Sequence, residues 1–280
     1  MVSSLRVAGQ TDVGRKREHN EDAFAIVDLG DPTRAATGEI DGTGRRVVLA
    51  VSDGMGGHQA GEVASAIVIA TLIESLTAHA AEPPDRALEL AVRDANQAVR
   101  TAALAHDKQG MGATLTAVMI DGEDAWIAEI GDSRAYLLRN GQLRQLTRDQ
   151  SFVQMLVDIG ALTVEEAKTS PRKNVILQAI GTAPTLTAAI GRLLLRRGDR
   201  LLVCCDGLSN ELSDAELATL IAEPDPAAAC GHAIAAANAH GGNDNITVII
   251  AHVGGDGIPE AAMDEHITAT YRVVQDYGIS

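Results

Sequence analysis

The segment that decides the fold is Val47–His58, VVLAVSDGMGGH, in which a continuous apolar run stops at Asp53 and closely spaced glycines follow. A short apolar run bounded by turn residues indicates a buried strand, which we predict over Arg46–Ser52. The glycines let the backbone come close to a bound group, because they carry no side chain. The segment therefore predicts a strand that delivers a carboxylate to the edge of a sheet.

The same arrangement of an aspartate at the end of an apolar strand recurs along the chain. Asp132 follows WIAEIG, Asp206 follows LLVCC, Asp244 precedes ITVIIAHV, and Asp22 precedes a further strand. Carboxylates gathered without nearby Lys or Arg repel one another, and a multivalent cation relieves that repulsion. Oxygen ligands alone favour Mg²⁺, Mn²⁺ or Ca²⁺ over zinc. From spacing alone, a metal site and a set of ordinary Asp-Gly turns remain open alternatives.

The order of strands and helices indicates the fold class. Strands neighbour strands and helices come in consecutive pairs, which favours an α+β fold with antiparallel sheets over a βαβ alternation. The first half is predicted to contain strands over Arg6–Thr11 and Ala23–Asp28 and two long helices over Ala60–His79 and Asp85–Asp107. A loop or hairpin tip is predicted between residues 28 and 46.

The second half is predicted to return to strands before it ends in helices and one more strand. The Asn140-Gly141 pair is typical of a hairpin turn, and residues 151–180 look helical around a loop at Ser170-Pro171. Strands are expected over Arg200–Cys205 and Asn245–His252, and helices over Asp214–Ile221 and Ala227–His240. An amphipathic helix over Pro259–Asp276 is expected to follow and to pack on the body of the protein.

Composition narrows the class of protein. The 280 residues carry a net charge of −15, so the field of the protein repels nucleic acid and anionic lipid. The three cysteines, two of them adjacent, suit buried reduced thiols better than disulfides or a zinc site. The N-terminus lacks the apolar region of a signal peptide, and the apolar stretch Val63–Ile73 is short for a membrane span. We expect a cytoplasmic monomer that binds neither nucleic acid nor membrane.

The segments GRKREHNEDAF, VSDGMGGHQAGEVAS, GMGATL, IGDSRAYL, CCDGL and GGNDNITVI, in this order, resemble the bacterial metal-dependent serine/threonine protein phosphatases, the PPM or type 2C family. The resemblance runs from about Leu5 to Val253. It implies a four-layer α/β/β/α sandwich with two antiparallel sheets and a metal site at one edge between them. It also implies a phosphatase domain over residues 1–253 and leaves 254–280 as a C-terminal extension.

The resemblance implies a role for each candidate residue. Asp53 would bridge two Mn²⁺ or Mg²⁺ ions, with the carbonyl of Gly54 on one of them. Arg17 would bind the substrate phosphate, and its planar fork of donors suits that task. The remaining metal ligands would be Asp206 and Asp244, with Glu21 and Asp22 acting through water and Asp132 sharing a third, weaker site with Asp206.

Two residues depart from the family pattern, and one segment has two possible structures. Met55 stands where many eukaryotic relatives have histidine, so His58 is either the acid that protonates the leaving group or a structural residue. Gln150 stands where relatives often have histidine. Residues 149–172 are predicted to form a mobile flap beside the active site, with an ordinary packed helix pair as the alternative.

The leading hypothesis is a phosphatase that hydrolyses phosphoserine and phosphothreonine in proteins and opposes Hanks-type serine/threonine kinases in signalling. A second hypothesis is a regulatory phosphatase with one narrow phosphoprotein substrate. A third is a catalytically silent binding module of the same fold.

Overall fold

Two antiparallel sheets lie face to face at the centre of the structure, a computed structural model that describes residues 4–31, 38–41, 46–56, 59–105 and 110–277. The strands, in chain order, are β1 (Ser4–Asp12), β2 (Asp22–Asp28), β3 (Gly38–Asp41), β4 (Arg46–Met55), β5 (Gly112–Ala113), β6 (Leu115–Asp121), β7 (Asp124–Ile130), β8 (Arg134–Arg139), β9 (Gln142–Gln145), β10 (Ala189–Leu194), β11 (Arg200–Cys204), β12 (Ile246–Gly254) and β13 (Tyr271–Gln275). The first sheet has the order β3-β1-β12-β11-β8-β9 and the second β13-β10-β7-β6-β4-β2, with β5 paired to β4.

Helices cover the outer face of each sheet. The helices of the described residues are α1 (Gln59–Ala78), α2 (Pro84–Ala105), α3 (Phe152–Asp158), α4 (Val164–Thr169), α5 (Asp206–Ser209), α6 (Asp214–Ile221), α7 (Pro226–His240) and α8 (Ile267–Thr270). Helices α1 and α2 pack on the second sheet, and α5, α6 and α7 pack on the first. The predicted α/β/β/α sandwich is confirmed.

Three apolar clusters hold these layers together. Leu49 of β4, Leu137 of β8 and Ile249 of β12 belong to the cluster between the two sheets. A second cluster joins the second sheet to α1 and α2, and a third joins the first sheet to α6 and α7. Alternate residues of a strand point to opposite faces, so a strand buried on both faces reads as a continuous apolar run. That is the reason why VVLAV marks the centre of the fold.

Helix α1 illustrates the same burial. By length and composition alone it could cross a membrane, with a mean hydropathy of 1.5 over Ala60–Ala78, and half of that window is buried inside the fold. Its buried residues, among them Val68 and Leu72, belong to the cluster against the second sheet. The core of the fold therefore accounts for the apolar character of this helix.

Several local predictions need correction. Strand β4 continues to Met55, because Gly54 and Met55 pair with β5, so Asp53 lies within a strand and not after it. The predicted loop between residues 28 and 46 contains β3, which pairs with β1. The helical prediction for residues 151–180 holds only for α3 and α4. The three cysteines are buried and unbonded, as predicted.

The predicted helix over Pro259–Asp276 is wrong. Only Ile267–Thr270 is helical, and β13 follows it as the edge strand of the second sheet, paired antiparallel with β10. The hydroxyl of Tyr271 donates a hydrogen bond to the carbonyl of Leu146 at 2.6 Å. The tail thus packs against the body of the protein, as expected, but it does so by adding a strand.

A buried ion pair anchors this tail. Arg139 and Asp199 have side chains that are each 1% exposed, and two hydrogen bonds of 2.6 and 2.7 Å join them. Arg139 also donates to the hydroxyl of Thr270 at 2.6 Å and to the carbonyl of Leu194 at 2.9 Å. One guanidinium therefore connects β8, the end of β10, the turn before β11 and the tail.

Replacing Arg139 with Met is expected to destabilise the protein by about 3–5 kcal/mol, because the carboxylate of Asp199 would stay buried without its partner. The measurement is the free energy of unfolding in urea. The matched control is Arg197→Met, since Arg197 is 42% exposed in its ion pairs with Asp256 and Glu260 and such pairs contribute about 1 kcal/mol or less. Equal effects of the two variants would contradict this role for Arg139.

Candidate metal centre

A cleft of about 460 Å³ opens at the edge of the sandwich, where strands of both sheets end. Its lining combines carboxylates, backbone from the glycine segment and two residues from beyond α4: Arg17, Glu21, Asp53, Gly54, Met55, Gly56, Thr114, Asp132, Asn174, Ile176, Asp206 and Asp244. The structure therefore brings the predicted aspartates from four different chain regions to one place.

Strand pairing places the first two aspartates. Asp22 begins β2 and is the direct cross-strand partner of Asp53 in β4. Side chains in such positions have Cβ atoms about 5 Å apart, and like charges there are destabilising. The hydroxyl of Thr247 donates to Asp22 Oδ2 at 2.6 Å, and the backbone N–H of Asp53 donates to the hydroxyl of Thr114 at 2.9 Å. The carboxylate of Asp22 is thus held by the first sheet through Thr247, whereas Asp53 is fixed through its backbone by Thr114, directly before β6.

The other aspartates lie at element ends. Asp206 is the first residue of α5, and only Cys205 separates it from β11; the amide of Asn210 donates to its Oδ2 at 3.0 Å. Asp132 follows β7, and Asp244 lies two residues before β12. Antiparallel strands from the two stacked sheets end here side by side, so these carboxylates meet although they are distant in sequence.

Burial, and after it the charges of neighbouring carboxylates, raise the pKa of Asp22, Asp53, Asp132 and Asp206. Asp53, Asp132 and Asp206 line the cleft, and Asp22 lies beside Asp53. Burial raises the pKa of Asp22 to about 7, although the hydrogen bond from Thr247 opposes the rise. Burial also raises the pKa of Asp132 and Asp206. Burial raises the pKa of Asp53 well above its usual value, and the charges of all four other aspartates act on it in the same direction.

This arrangement fits a hard divalent cation. Asp22 Oδ1 and Asp206 Oδ1 are buried and have no hydrogen-bond partner within the described part of the chain. A buried carboxylate oxygen without a donor is costly unless a cation compensates it. The atoms of the cleft lining that could bind a metal ion are carboxylate, carbonyl and hydroxyl oxygens, and Mn²⁺ and Mg²⁺ accept such ligands. The residues therefore fit the predicted ions.

Arg17 supplies positive charge at the mouth of the cleft. Its Nη2 donates to Asp244 Oδ2 at 2.7 Å, and its side chain is 49% exposed. Partial burial lowers the pKa of Arg17, but Asp244, Glu21 and Asp53 together raise it above its usual value. The loop that carries Arg17 is held by Asn245, whose amide donates to the carbonyls of Val13 and His19.

Close backbone packing explains the glycines next to the aspartates. A Cβ at Gly54 would collide with the carbonyl oxygen of Gly61 at the start of α1 and would lie 2.6 Å from the carbonyl oxygen of Glu21. A Cβ at Gly207 would collide with the carbonyl oxygen of Asn245. The sequence Asp-Gly at both positions thus reflects a backbone packed against a neighbouring segment, in addition to a turn.

The predicted site residues meet with one exception. Arg17, Glu21, Gly54 and the aspartates line the cleft or, like Asp22, contact its lining residues. His58 lies outside the described residues, so its role stays a prediction. Sequence reasoning missed Thr114, Thr247 and Asn245, although GMGATL and GGNDNITVI contain them. It also missed Asn174 and Ile176, for which no local pattern gives a signal.

Two comparisons by sequence agree on the kind of protein that this chain resembles. The family model described as Protein phosphatase 2C matches residues 16–231. The serine/threonine protein phosphatase PstP of Mycobacterium tuberculosis is 40% identical over 253 residues, which is 89% of this chain and 45% of PstP, so the chain spans less than half of that relative. The serine/threonine phosphatase Stp of Listeria innocua is 34% identical over 247 residues, 86% of this chain and 93% of Stp.

Solved structures agree with the sequence comparisons. The crystal structure of M. tuberculosis PstP/Ppp is similar with a TM-score of 0.77 and 38% identity, covering 90% of this chain and 100% of that chain. The catalytic domain of PstP in complex with two manganese ions has a TM-score of 0.76 and 38% identity over the same shares. About a tenth of the chain therefore has no counterpart in these two structures.

Proposed function

Because the chain belongs to the protein phosphatase 2C family, we propose that it hydrolyses phosphoserine and phosphothreonine in proteins with the help of two Mn²⁺ or Mg²⁺ ions. The observation that carries the proposal is the set of converging aspartates with unpartnered buried oxygens on Asp22 and Asp206, beside an arginine at the mouth of the same cleft. A silent binding module has no need to keep a cleft of this charge.

The metal ions would be held by Asp53 in the centre, with the Gly54 carbonyl, Asp206 and Asp244 around it and Glu21 and Asp22 next to them. When bound, the ions supply a water of lowered pKa and positive charge opposite the phosphoryl oxygens. Asp53 suits the central position because the charges of the four other aspartates all act on it. Asp132 would share a further ion with Asp206; burial raises the pKa of Asp132, and the charge of Asp206 acts in the same direction.

Arg17 is the proposed phosphate-binding residue. It lines the cleft together with the metal ligands, and half of its side chain is exposed to an incoming group. A guanidinium offers two parallel N–H donors to a phosphate and keeps its charge at any physiological pH. Arg17 thus orients the phosphoryl group toward Asp53 and balances part of its negative charge during in-line attack.

The partners follow from this chemistry. Phosphorylated proteins are the substrates, and a Hanks-type serine/threonine kinase is the proposed source of their phosphate groups. A monomer in the cytoplasm is the proposed form of the protein. The net charge of −15 supports a protein that attracts cations and does not bind nucleic acid or anionic lipid.

The test is a Mn²⁺-dependent assay on matched phosphoserine, phosphothreonine and phosphotyrosine peptides, with and without EDTA. Phosphate release from the first two, stopped by EDTA and restored by Mn²⁺, is expected. Mn²⁺ binding by calorimetry without turnover of any peptide would favour the silent module. Turnover of one phosphoprotein but of no unrelated peptide would favour the narrow regulatory enzyme.

Replacing Arg17 with Lys is expected to raise the KM for a phosphothreonine peptide and to lower kcat/KM by roughly 10–100-fold, because the charge stays but the two parallel donors are lost. Steady-state kinetics at saturating Mn²⁺ measure the effect. Arg15→Lys, two residues away, is the control. A KM equal to that of the wild type would show that Arg17 serves only its ion pair with Asp244.

A further inference from the structure

Gln150 is a fully buried amide between the metal centre and the segment after α4. Its exposed fraction is 0%. It belongs to neither the predicted metal ligands nor the lining of the cleft. Arg134 fixes the preceding residue, Asp149, through two hydrogen bonds of 2.6 and 2.8 Å. Gln150 therefore projects from a backbone that is itself held in place.

On one side, Gln150 binds the turn that presents Asp132. Its Oε1 accepts a hydrogen bond from the N–H of Gly131 at 3.0 Å, and its Nε2 donates to the carbonyl of Glu129 at 3.1 Å. The backbone N–H of Gln150 donates to the carbonyl of Gly131 at 2.8 Å. Gly131 has a φ of +103°, so the backbone turns sharply directly before Asp132. Three hydrogen bonds from one residue thus set the direction in which the turn places that carboxylate.

On the other side, Gln150 binds the segment that carries Asn174 and Ile176, the two cleft residues from beyond α4. The N–H of Leu177 donates to the carbonyl of Gln150 at 2.7 Å, and the amide of Gln178 donates to Gln150 Oε1 at 3.2 Å. A β-bridge between Ser151 and Ile176 extends this contact. Gln150 therefore joins the two regions: its side chain binds the Asp132 turn and Gln178, and its backbone carbonyl binds the segment that forms this wall of the cleft.

We propose that Gln150 is a positioning residue that sets the place of Asp132 relative to the Asn174–Ile176 wall, and so tunes both the affinity for a divalent cation at Asp132 and the KM for the phosphorylated substrate. The substrate part of this inference rests on the proposed function, whereas the cation part does not. A side chain acts in this way because its hydrogen bonds orient a ligand that it does not itself provide.

The first test is Gln150→Met, which keeps the length of the side chain and removes its three side-chain hydrogen bonds, to Gly131, Glu129 and Gln178. Calorimetry measures Mn²⁺ binding to the metal-free full chain, and the Mn²⁺ binding that Asp132→Asn removes defines the site at Asp132. Gln150→Met is expected to raise the Kd of that site by roughly 10-fold, in the range for residues that orient metal ligands. In the Asp132→Asn background, Gln150→Met should change Mn²⁺ affinity no further.

Gln178→Met tests the effect on KM separately from the effect on Mn²⁺ affinity at Asp132. The amide of Gln178 donates to Gln150 and to the carbonyl of Thr187, and among the described residues no hydrogen bond joins its side chain to the Asp132 turn. This variant is therefore expected to raise KM while the Mn²⁺ affinity stays unchanged. Gln97→Met, on the exposed face of α2, is the control for glutamine replacement. If Gln150→Met fails to fold, Gln150→His at pH 8 replaces it, because neutral imidazole keeps one acceptor and one donor. The Mn²⁺ affinity of that variant is expected to lie between the affinities of the wild type and of Asp132→Asn.

The inference is overturned if Asp132→Asn removes no Mn²⁺ binding, or if Gln150→Met and Gln150→His both bind Mn²⁺ like the wild type. An equal further loss of Mn²⁺ affinity in the Asp132→Asn background would also overturn it, because Gln150 would then act through the whole fold. Absence of phosphatase activity with the expected Mn²⁺ pattern would contradict the proposed function and leave the placement of Asp132 by Gln150 supported.

Discussion

Asp53→Asn is expected to lower kcat on a phosphothreonine peptide at least about 100-fold, the scale on which one preorganised electrostatic group acts. The amide keeps the size of the side chain and its place in β4 but removes the negative charge at the centre of the carboxylate cluster. Steady-state kinetics at saturating Mn²⁺ measure the effect. Asp256→Asn, at an exposed position outside the cleft, serves as the control and should retain full activity.

The same substitution should weaken Mn²⁺ binding and stabilise the metal-free protein. The charges of four other aspartates act on Asp53, so a neutral residue there relieves repulsion when no cation is bound. Full turnover by Asp53→Asn, or Mn²⁺ affinity equal to that of the wild type, would show that Asp53 does not hold the ions.

The metal-free protein is expected to lose stability as the pH rises, and Asp22 isolates the effect. Its pKa is raised from 3.8 to about 7 by burial. A carboxyl with a raised pKa in the folded state binds its proton more tightly there than in the unfolded chain, so its favourable contribution is complete below pH 3.8 and is lost as the pH rises through about 7. The loss is on the order of a few kcal/mol, because each pKa unit corresponds to about 1.4 kcal/mol.

The measurement compares the Tm of wild type and Asp22→Asn, both metal-free, between pH 5 and pH 8. The Tm of the variant should rise relative to that of the wild type as the pH rises, because the variant has no carboxyl to ionise at this position. Burial lowers the pKa of His252 to about 4, which acts in the opposite sense, but it acts in both proteins and cancels in the difference. Saturating Mn²⁺ should flatten the pH dependence of the wild type. A constant difference in Tm across this range would contradict the raised pKa.

The sequence was most informative where one segment contains its own signal. The helix Asp214–Ile221 has the predicted bounds, because a Ser-x-x-Glu capping box starts it and its apolar residues recur at helical spacing. The aspartates at the ends of apolar strands were identified for a similar reason, since a charge that ends a buried run is visible without knowledge of any partner.

The tail shows where such reasoning fails. Met263, Ile267, Tyr271 and Val274 have near-helical spacing, which predicted a helix. In the structure, the free edge of β10 offers a row of unpaired backbone groups, and residues from Tyr271 onward satisfy that row as β13. Pairing with an edge strand depends on a segment about 80 positions earlier, and no periodicity within the tail reports it.

By itself, the sequence identified the groups of the candidate site: carboxylates and glycines close to the ends of apolar strands, and an arginine in the segment before Asp22. Only the tertiary structure decided how these groups act on one another. It placed Asp22 opposite Asp53, put the Thr247 hydroxyl on Asp22, and joined the Asp132 turn to the Asn174–Ile176 wall through Gln150. The reason is physical: a residue type is local, whereas burial, repulsion and hydrogen bonding depend on atoms that the fold brings from distant parts of the chain.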